Sequence, residues 1–196
     1  MITKLKTQHR ATARARRRAL SKTERTRHSA SICQNLTNSE AWQEATTVAI
    51  YASFRSEVET GELLKLAVVQ GKRLVLPKVI AQGEPLGFFD VRPSSGGVWP
   101  LDTGTFGVDE PNESCDQVPL AQIDLLILPA LAIDKSGARL GWGGGFYDRT
   151  IERCPTARVL AAVFDCQIVE SVPVGEHDQS VDGWVSERGL CFVGGG

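Results

Sequence analysis

The chain has five cysteines in 196 residues and no C-x-x-C pair, and no Cys or His spacing suits a zinc site. An odd count without such pairing argues against a disulfide framework and reads as buried or incidental reduced thiols. No apolar run approaches the roughly 20 residues that a membrane-spanning helix needs. The basic N-terminus is not followed by the apolar stretch of a secretory leader, so the cytoplasm is the expected compartment. No internal repeat is visible. Two phosphate-binding motifs are also absent. No Gly is followed by Lys-Ser or Lys-Thr in the Walker A pattern. G-x-G-x-x-G fails as well, since its sixth position is Phe146 counted from Gly141 and Asp148 counted from Gly143.

What remains is an ordinary globular composition, 42% hydrophobic and 23% charged, long enough for one substantial core. The formal net charge of −1 conceals an asymmetry. Residues 1–28 hold ten of the 22 Lys and Arg but only one of the 23 acids, Glu24, leaving 12 basic and 22 acidic residues in the body. A basic arm therefore joins an acidic body.

The densest stretch runs from Leu125 to Arg153. Ile123 to Leu128 is β-branched and Leu-rich, as in a strand buried on both faces, and Pro129 ends it. Asp134-Lys-Ser-Gly137 is turn chemistry, with Asp closing an Asx-turn and Gly supplying positive φ. Arg139, Leu140, Gly141, Trp142, Gly143, Gly144 and Gly145 follow, and Phe146-Tyr147-Asp148 opens a helix. Strand, glycine loop and helix start form a device for anions. The backbone can approach a ligand closely, N–H groups point inward, and the helix dipole adds positive potential. Arg139 can hold two phosphate oxygens. Asp148 is a carboxylate in an anion-attracting place, which calls for Mg²⁺ between it and the phosphates. The bland alternative is a ligand-free surface loop.

Elsewhere, residues 3–19 are strong helix formers, with Lys6, Arg10, Arg14 and Arg18 on one face and Ala11, Ala15 and Ala19 beside them. Ser21-Lys-Thr-Glu24 is a capping box opening a second helix to about Ser39. The basic face admits three readings: a solvated surface, a nucleic-acid arm lacking stacking aromatics, or part of an anion site docked over the glycine loop. Thr47–Ala52, Lys72–Lys78 and Arg158–Phe164 are further strands, with a short one at Leu86–Val91. Thr60 is placed to N-cap a helix from Gly61 to Gln70. Strands alternating with helical or loop segments argue a mostly parallel sheet covered on both faces. Glu57 and Glu59 lie in the loop after the first strand, where open α/β sheets bind ligands, though a charged surface loop would look the same. His177 alone reads as structural or solvated more readily than catalytic.

RLGWGGGFYDR (139–149), with LPALAIDKSG before it, resembles the signature of the 5-formyltetrahydrofolate cyclo-ligase family, close to RLGYGGGYYDR. Trp142 and Phe146 keep rings against the ligand but drop a hydroxyl. SEVET (56–60), FGVDEP (106–111) and VPVGEHDQSVD (172–182) resemble further family segments. The resemblance implies a three-layer α/β/α sandwich with a Rossmann-like sheet, a single domain over residues 1–196 with basic helices 3–39 packed on the α/β body. It implies conversion of 5-formyltetrahydrofolate to 5,10-methenyltetrahydrofolate with ATP and Mg²⁺. Lys6 and Arg10 then contact ATP (Arg10 and Arg14 if the alignment slips one turn), together with the 139–147 segment from Arg139 and Leu140 to Tyr147. Glu57 binds the folate. Ala52, Phe54, Phe106, Trp142 and Phe146 line its pocket, although Phe106 reads equally as a loop anchor. Asp178 joins Asp148 on Mg²⁺. No side chain is assigned as nucleophile or base. The expected partners are small molecules, with no nucleic acid and no membrane, and the expected state is a monomer. Other readings are a sugar-phosphate isomerase, an acyl-CoA transferase or, on the basic arm, a nucleic-acid-binding module.

Overall fold

Apolar runs that lack a polar face must be covered on both sides, and here they become the inner strands of one sheet. A computed structural model describes residues 2–194. Met1, Gly195 and Gly196 lie outside the described residues. The helices are α1 (Ile2–Ala19), α2 (Lys22–Thr37), α3 (Glu40–Glu44), α4 (Gly61–Val69) and α5 (Phe146–Glu152). The strands are β1 (Thr47–Ile50), β2 (Arg73–Lys78), β3 (Gly87–Asp90), β4 (Leu101–Thr103), β5 (Asp109–Pro111), β6 (Gln117–Val118), β7 (Leu125–Pro129), β8 (Ala132–Asp134), β9 (Arg139–Leu140), β10 (Arg158–Ala162), β11 (Ile168–Val169), β12 (Gly183–Ser186) and β13 (Gly189–Phe192).

The main sheet has the order β13-β12-β10-β7-β1-β2-β3-β6. Its five inner strands, β12 through β2, are parallel, and antiparallel strands close both edges. Successive residues of a strand face opposite sides. Thus Val48, Ile50, Leu125 and Ile127 pack under α2, α3 and α4 through Ile32, Leu36, Trp42 and Leu63. Ala49, Leu126 and Leu128 face the other way, onto α5 through Phe146, Tyr147 and Ile151 and onto Ile133 of β8. The architecture is the expected α/β/α sandwich. Its far layer is thin, built from the short α5 and the small sheet β11-β8-β9.

The chain leaves β1 toward β2 on one side and returns to β7 on the other. That reversal opens a crevice beyond the carboxyl ends of β1 and β7, the place where α/β sheets bind ligands. Residues 81–104, whose role the sequence left blank, supply the antiparallel β3 and one arm of the β4–β5 hairpin that flanks the crevice.

Three local expectations are corrected. Thr60 precedes α4, but its hydroxyl makes no cap. It donates to Tyr51 O at 2.7 Å and accepts from Ser53 N at 3.2 Å, closing the loop after β1. α3 is an extra helix, capped by Ser39 Oγ accepting from Trp42 N. On α1, Ala11, Ala15 and Ala19 are exposed, and the buried residues are Ala13 and Arg17. The docked face follows what the helix lies upon, and small Ala13 fits between Leu131, Leu140 and Val172. The capping box at Ser21 and Glu24 forms as read.

Asp134 does more than close its turn. Its Oδ1 accepts from Ser136 N, Ser136 Oγ and Ala138 N, and its Oδ2 from Val172 N at 2.8 Å, with the side chain buried. This carboxylate holds the β8–β9 turn that delivers Arg139. Asp134→Ala leaves buried N–H groups unpaired, so it is expected to cost about 3 kcal/mol in a urea unfolding titration. A change below about 1 kcal/mol would show that water replaces the carboxylate.

Candidate active site

Every residue assigned from the sequence to ATP, folate or metal lines one cavity of about 650 Å³ at the carboxyl ends of β1 and β7. One wall is the loop after β1. Within SEVET, Glu57 and Val58 turn inward and Glu59 is exposed, where it accepts from Thr26 Oγ1. Glu57 is 6% exposed. Its Oε2 accepts from Phe54 N at 3.1 Å, its Oε1 accepts from Trp142 Nε1 at 3.1 Å, and Arg17 stands 4.0 Å away. Burial pushes this carboxyl above the usual glutamate range, against the pull of Trp142, Phe54 and Arg17. Burial likewise holds the Tyr51 and Tyr147 hydroxyls in the protonated form, and the nearby Glu57 charge reinforces this.

The facing wall is the glycine loop. Gly143 (φ +107°) and Gly145 (φ +67°) occupy backbone that side chains rarely adopt. A Cβ at Gly144 would sit 2.8 Å from the Phe146 ring. Arg149, the last residue of the loop signature, donates to Gly144 O at 2.8 Å and to Glu84 O at 3.2 Å, so it braces the loop from behind. Leu140 is buried with Ala13 and Leu131 and anchors the loop's entry. Gly143→Ala combines strained φ with a Cβ 3.2 Å from the Arg10 guanidinium. It is expected to weaken nucleotide binding by about tenfold or more, since the strain is on the order of 1–3 kcal/mol, while the sheet melts as before. Equal affinities in titration calorimetry would show that the loop needs no glycine there.

Helix α1 forms the rim. Arg10 Nε donates to Gly141 O at 2.9 Å, and Lys6 Nζ pairs with Asp178. Arg14 and Arg17 lie over the Trp142 ring, 5.3 and 5.5 Å from its centroid. Of the three readings of the basic face, the geometry is that of an arm docked on the glycine loop. Its fourth member is buried Arg17, not exposed Arg18, because steps of four drift round a helix of about 3.6 residues per turn and Arg17 stays nearer the line of Lys6 and Arg10.

The two acidic residues assigned to metal are already partly engaged. Arg139 is buried, donating through NH1 to Gln179 O and through NH2 to Asp148 Oδ1 at 2.9 Å. Its fork, read as a grip on two phosphate oxygens, is turned toward the protein. Asp148 Oδ1 also accepts from Gln179 N at 3.1 Å. Asp178 Oδ2 accepts from Lys6 Nζ and, at 2.6 Å, from Gly175 N. Burial raises the Asp178 carboxyl, but these donors and the charges of Lys6 and Arg139 outweigh it and hold it below the usual range. Asp148 Oδ2 and Asp178 Oδ1 accept no hydrogen bond among the described residues. The described residues hold no cluster of three or more His, Cys, Asp or Glu suited to a metal. Two carboxylates with a spare oxygen each fit Mg²⁺, which takes one or two carboxylates and completes its shell with phosphates and water.

Phe106 lines the cavity at φ +64°, and Arg55 also lines it at φ +56°. Among the described residues these are the two non-glycines with positive φ, backbone strain of the kind found at ligand sites. His177 is exposed and outside the cavity lining, in keeping with a solvated role. Tyr51, Arg55 and Glu110 also line the cavity, and Arg17 and Arg149 brace it, though none was assigned a role from the sequence. Glu110 was visible within FGVDEP, and Arg17 one helical turn beyond Arg14.

A switch-point crevice with a glycine loop, a basic rim and opposed carboxylates defines an α/β ligand-binding enzyme. A family model, the 5-formyltetrahydrofolate cyclo-ligase family, matches residues 2–187, and the chain belongs to that family. It is accordingly a ligase of folate one-carbon metabolism. The mouse 5-formyltetrahydrofolate cyclo-ligase is 32% identical over 181 residues, covering 88% of this chain and 89% of the relative. The Escherichia coli K12 protein of the same name is 37% identical over 139 residues, 68% of this chain and 74% of its own length. The solved structure of 5,10-methenyltetrahydrofolate synthetase from Aquifex aeolicus superposes with a TM-score of 0.85 at 29% identity, covering 98% of this chain and 94% of that one. Family membership displaces the isomerase and acyl-CoA transferase readings. Among the described residues no helix is long and apolar enough to cross a membrane.

Proposed function

We propose that the chain converts 5-formyltetrahydrofolate to 5,10-methenyltetrahydrofolate while turning ATP over to ADP and phosphate. The formyl oxygen takes the γ-phosphoryl group, which converts a poor leaving group into a good one. N10 then attacks the activated carbon, the ring closes, and phosphate departs with the oxygen. Such chemistry asks the protein to position two substrates and neutralise charge, with no covalent enzyme intermediate. The observation that carries the reading is that Glu57 and the glycine loop face one cavity, so a folate and a triphosphate would meet in it.

Glu57 accepts N–H donors of the folate ring, and Phe54, Phe106 and Phe146 give it apolar walls. Lys6, Arg10 and the N–H groups of residues 141–145 take the triphosphate, with Arg139 orienting Asp148 beside it. Asp148 and Asp178 would hold Mg²⁺, which when bound offsets phosphate charge. Lys6 leaves Asp178 for a phosphate oxygen as the nucleotide arrives. Every assigned group comes from one chain, which supports a monomer as the working unit.

The test is an absorbance assay, because the product absorbs at longer wavelength than its precursor. A rise that needs 5-formyltetrahydrofolate, ATP and Mg²⁺ together supports the reading. A flat trace from folded protein overturns it.

A further inference from the structure

Trp142 belongs to the glycine loop, yet its polar atom serves the opposite wall. The indole N–H donates to Glu57 Oε1 at 3.1 Å across 85 residues of sequence. It is the hydrogen bond that crosses the cavity from the loop to Glu57. The other Glu57 oxygen is held within its own turn by Phe54 N, and Arg17 at 4.0 Å is beyond hydrogen-bonding range. The two glycines beside Trp142 allow the ring to move with the loop. A Cβ at Gly141 would meet nothing within 4 Å, and Gly143 has φ +107°.

The ring is also gripped from outside. Arg14 and Arg17 stack on it, and Arg14 Nε is buried without a hydrogen-bond partner among the described residues. An orphaned guanidinium nitrogen costs stability unless an acceptor reaches it. A triphosphate seated beside Arg10, one turn earlier on α1, brings such acceptors to that neighbourhood.

We propose that Trp142 is a positioning residue that couples the two substrate sites, so that nucleotide on the glycine loop fixes the indole where it aims Glu57 at the folate. This rests on the assignment of the loop to ATP and of Glu57 to folate. A loop ordered by its own ligand no longer charges its ordering entropy to the second ligand, and the linkage is reciprocal.

Titration calorimetry with 5-formyltetrahydrofolate, with and without a non-hydrolysable ATP analogue, tests it on the parent and on Trp142→Phe. The variant keeps a ring between the arginines and removes the N–H. The parent is expected to bind folate about fivefold or more tightly when nucleotide is present, the low end of ordinary coupling. In Trp142→Phe that ratio, measured with nucleotide at saturation for the variant, falls to about one. In steady state the folate KM rises with little change in kcat, a split that general loosening of the fold would not give. Trp142→His, which restores a ring N–H, is expected to recover part of the coupling. Coupling that survives in Trp142→Phe, or is absent from a parent that binds both ligands, overturns the link alone. A parent that binds neither ligand overturns the site assignment and the link with it.

Discussion

Replacing Glu57 with Gln is expected to weaken 5-formyltetrahydrofolate binding by roughly 10- to 100-fold, the equivalent of the approximately 1.5–3 kcal/mol carried by hydrogen bonds to a charged acceptor. The amide keeps the size of the side chain but replaces one acceptor by a donor, which opposes the folate's N–H groups. Nucleotide affinity, measured alone, should move little. The pH dependence supplies a second reading. Burial first, with Trp142, Phe54 and Arg17 pulling the other way, leaves the Glu57 carboxyl above the usual glutamate range. A raised carboxyl takes up its proton at higher pH than an exposed one, and once neutral it accepts poorly. Folate affinity in the parent therefore falls as pH drops through that raised value, and Glu57→Gln lacks this acid limb. Asp178 stays ionised across the same interval, because Lys6 and Gly175 N hold it low despite burial. Calorimetric titrations from neutral to mildly acidic pH decide the matter. A variant with parental affinity and a parental acid limb removes Glu57 from folate recognition.

Asp148→Asn should give the largest loss in turnover, on the order of 100-fold, as when one group that offsets transition-state charge is removed. The substitution is clean on structural grounds. The Asn carbonyl oxygen can still accept from Arg139 NH2 and Gln179 N, the two donors that Asp148 Oδ1 holds now. Folding should be preserved, and what disappears is the charge and the spare oxygen offered to Mg²⁺. The Mg²⁺ concentration for half-maximal rate is expected to rise with metal-free nucleotide affinity unchanged. Parental kcat and a parental Mg²⁺ titration would show that Asp148 only braces Arg139.

Much of this was legible because it is local. Uninterrupted apolar runs such as LLIL can only be inner strands. Ser21 and Glu24 stand three apart as a capping box requires, and Asp134 and Gly137 bound a turn. The glycine loop announced itself by composition. What escaped depends on residues far apart in sequence. Whether Arg17 or Arg18 turns inward is settled by where α1 lies on the loop, and helical spacing alone leaves both in reach of Arg14. Thr60 has the residue type of a cap but finds a better acceptor in Tyr51 O. The Arg139 guanidinium suits a phosphate, yet Gln179 O, 40 residues on, claims one arm. No pattern in SEVET or in RLGWGGG says that the indole of one meets the carboxylate of the other.

Helix α1 touches the body through an ion pair at Lys6, a hydrogen bond from Arg10 to the Gly141 carbonyl, stacking at Arg14 and Arg17, and little apolar area, with Ala13 its one buried apolar residue. Attachment of that kind is weakened by salt, whereas the sheet beneath is held by buried strands that salt scarcely touches. Residues 2–19 should therefore exchange their amide hydrogens and admit proteases well before the strands do, and increasingly so as ionic strength rises. A bound polyanion bridging Lys6 and Arg10 would slow both processes, so the lifetime of this first helix would report occupancy of a cavity whose floor lies in the strands beyond it.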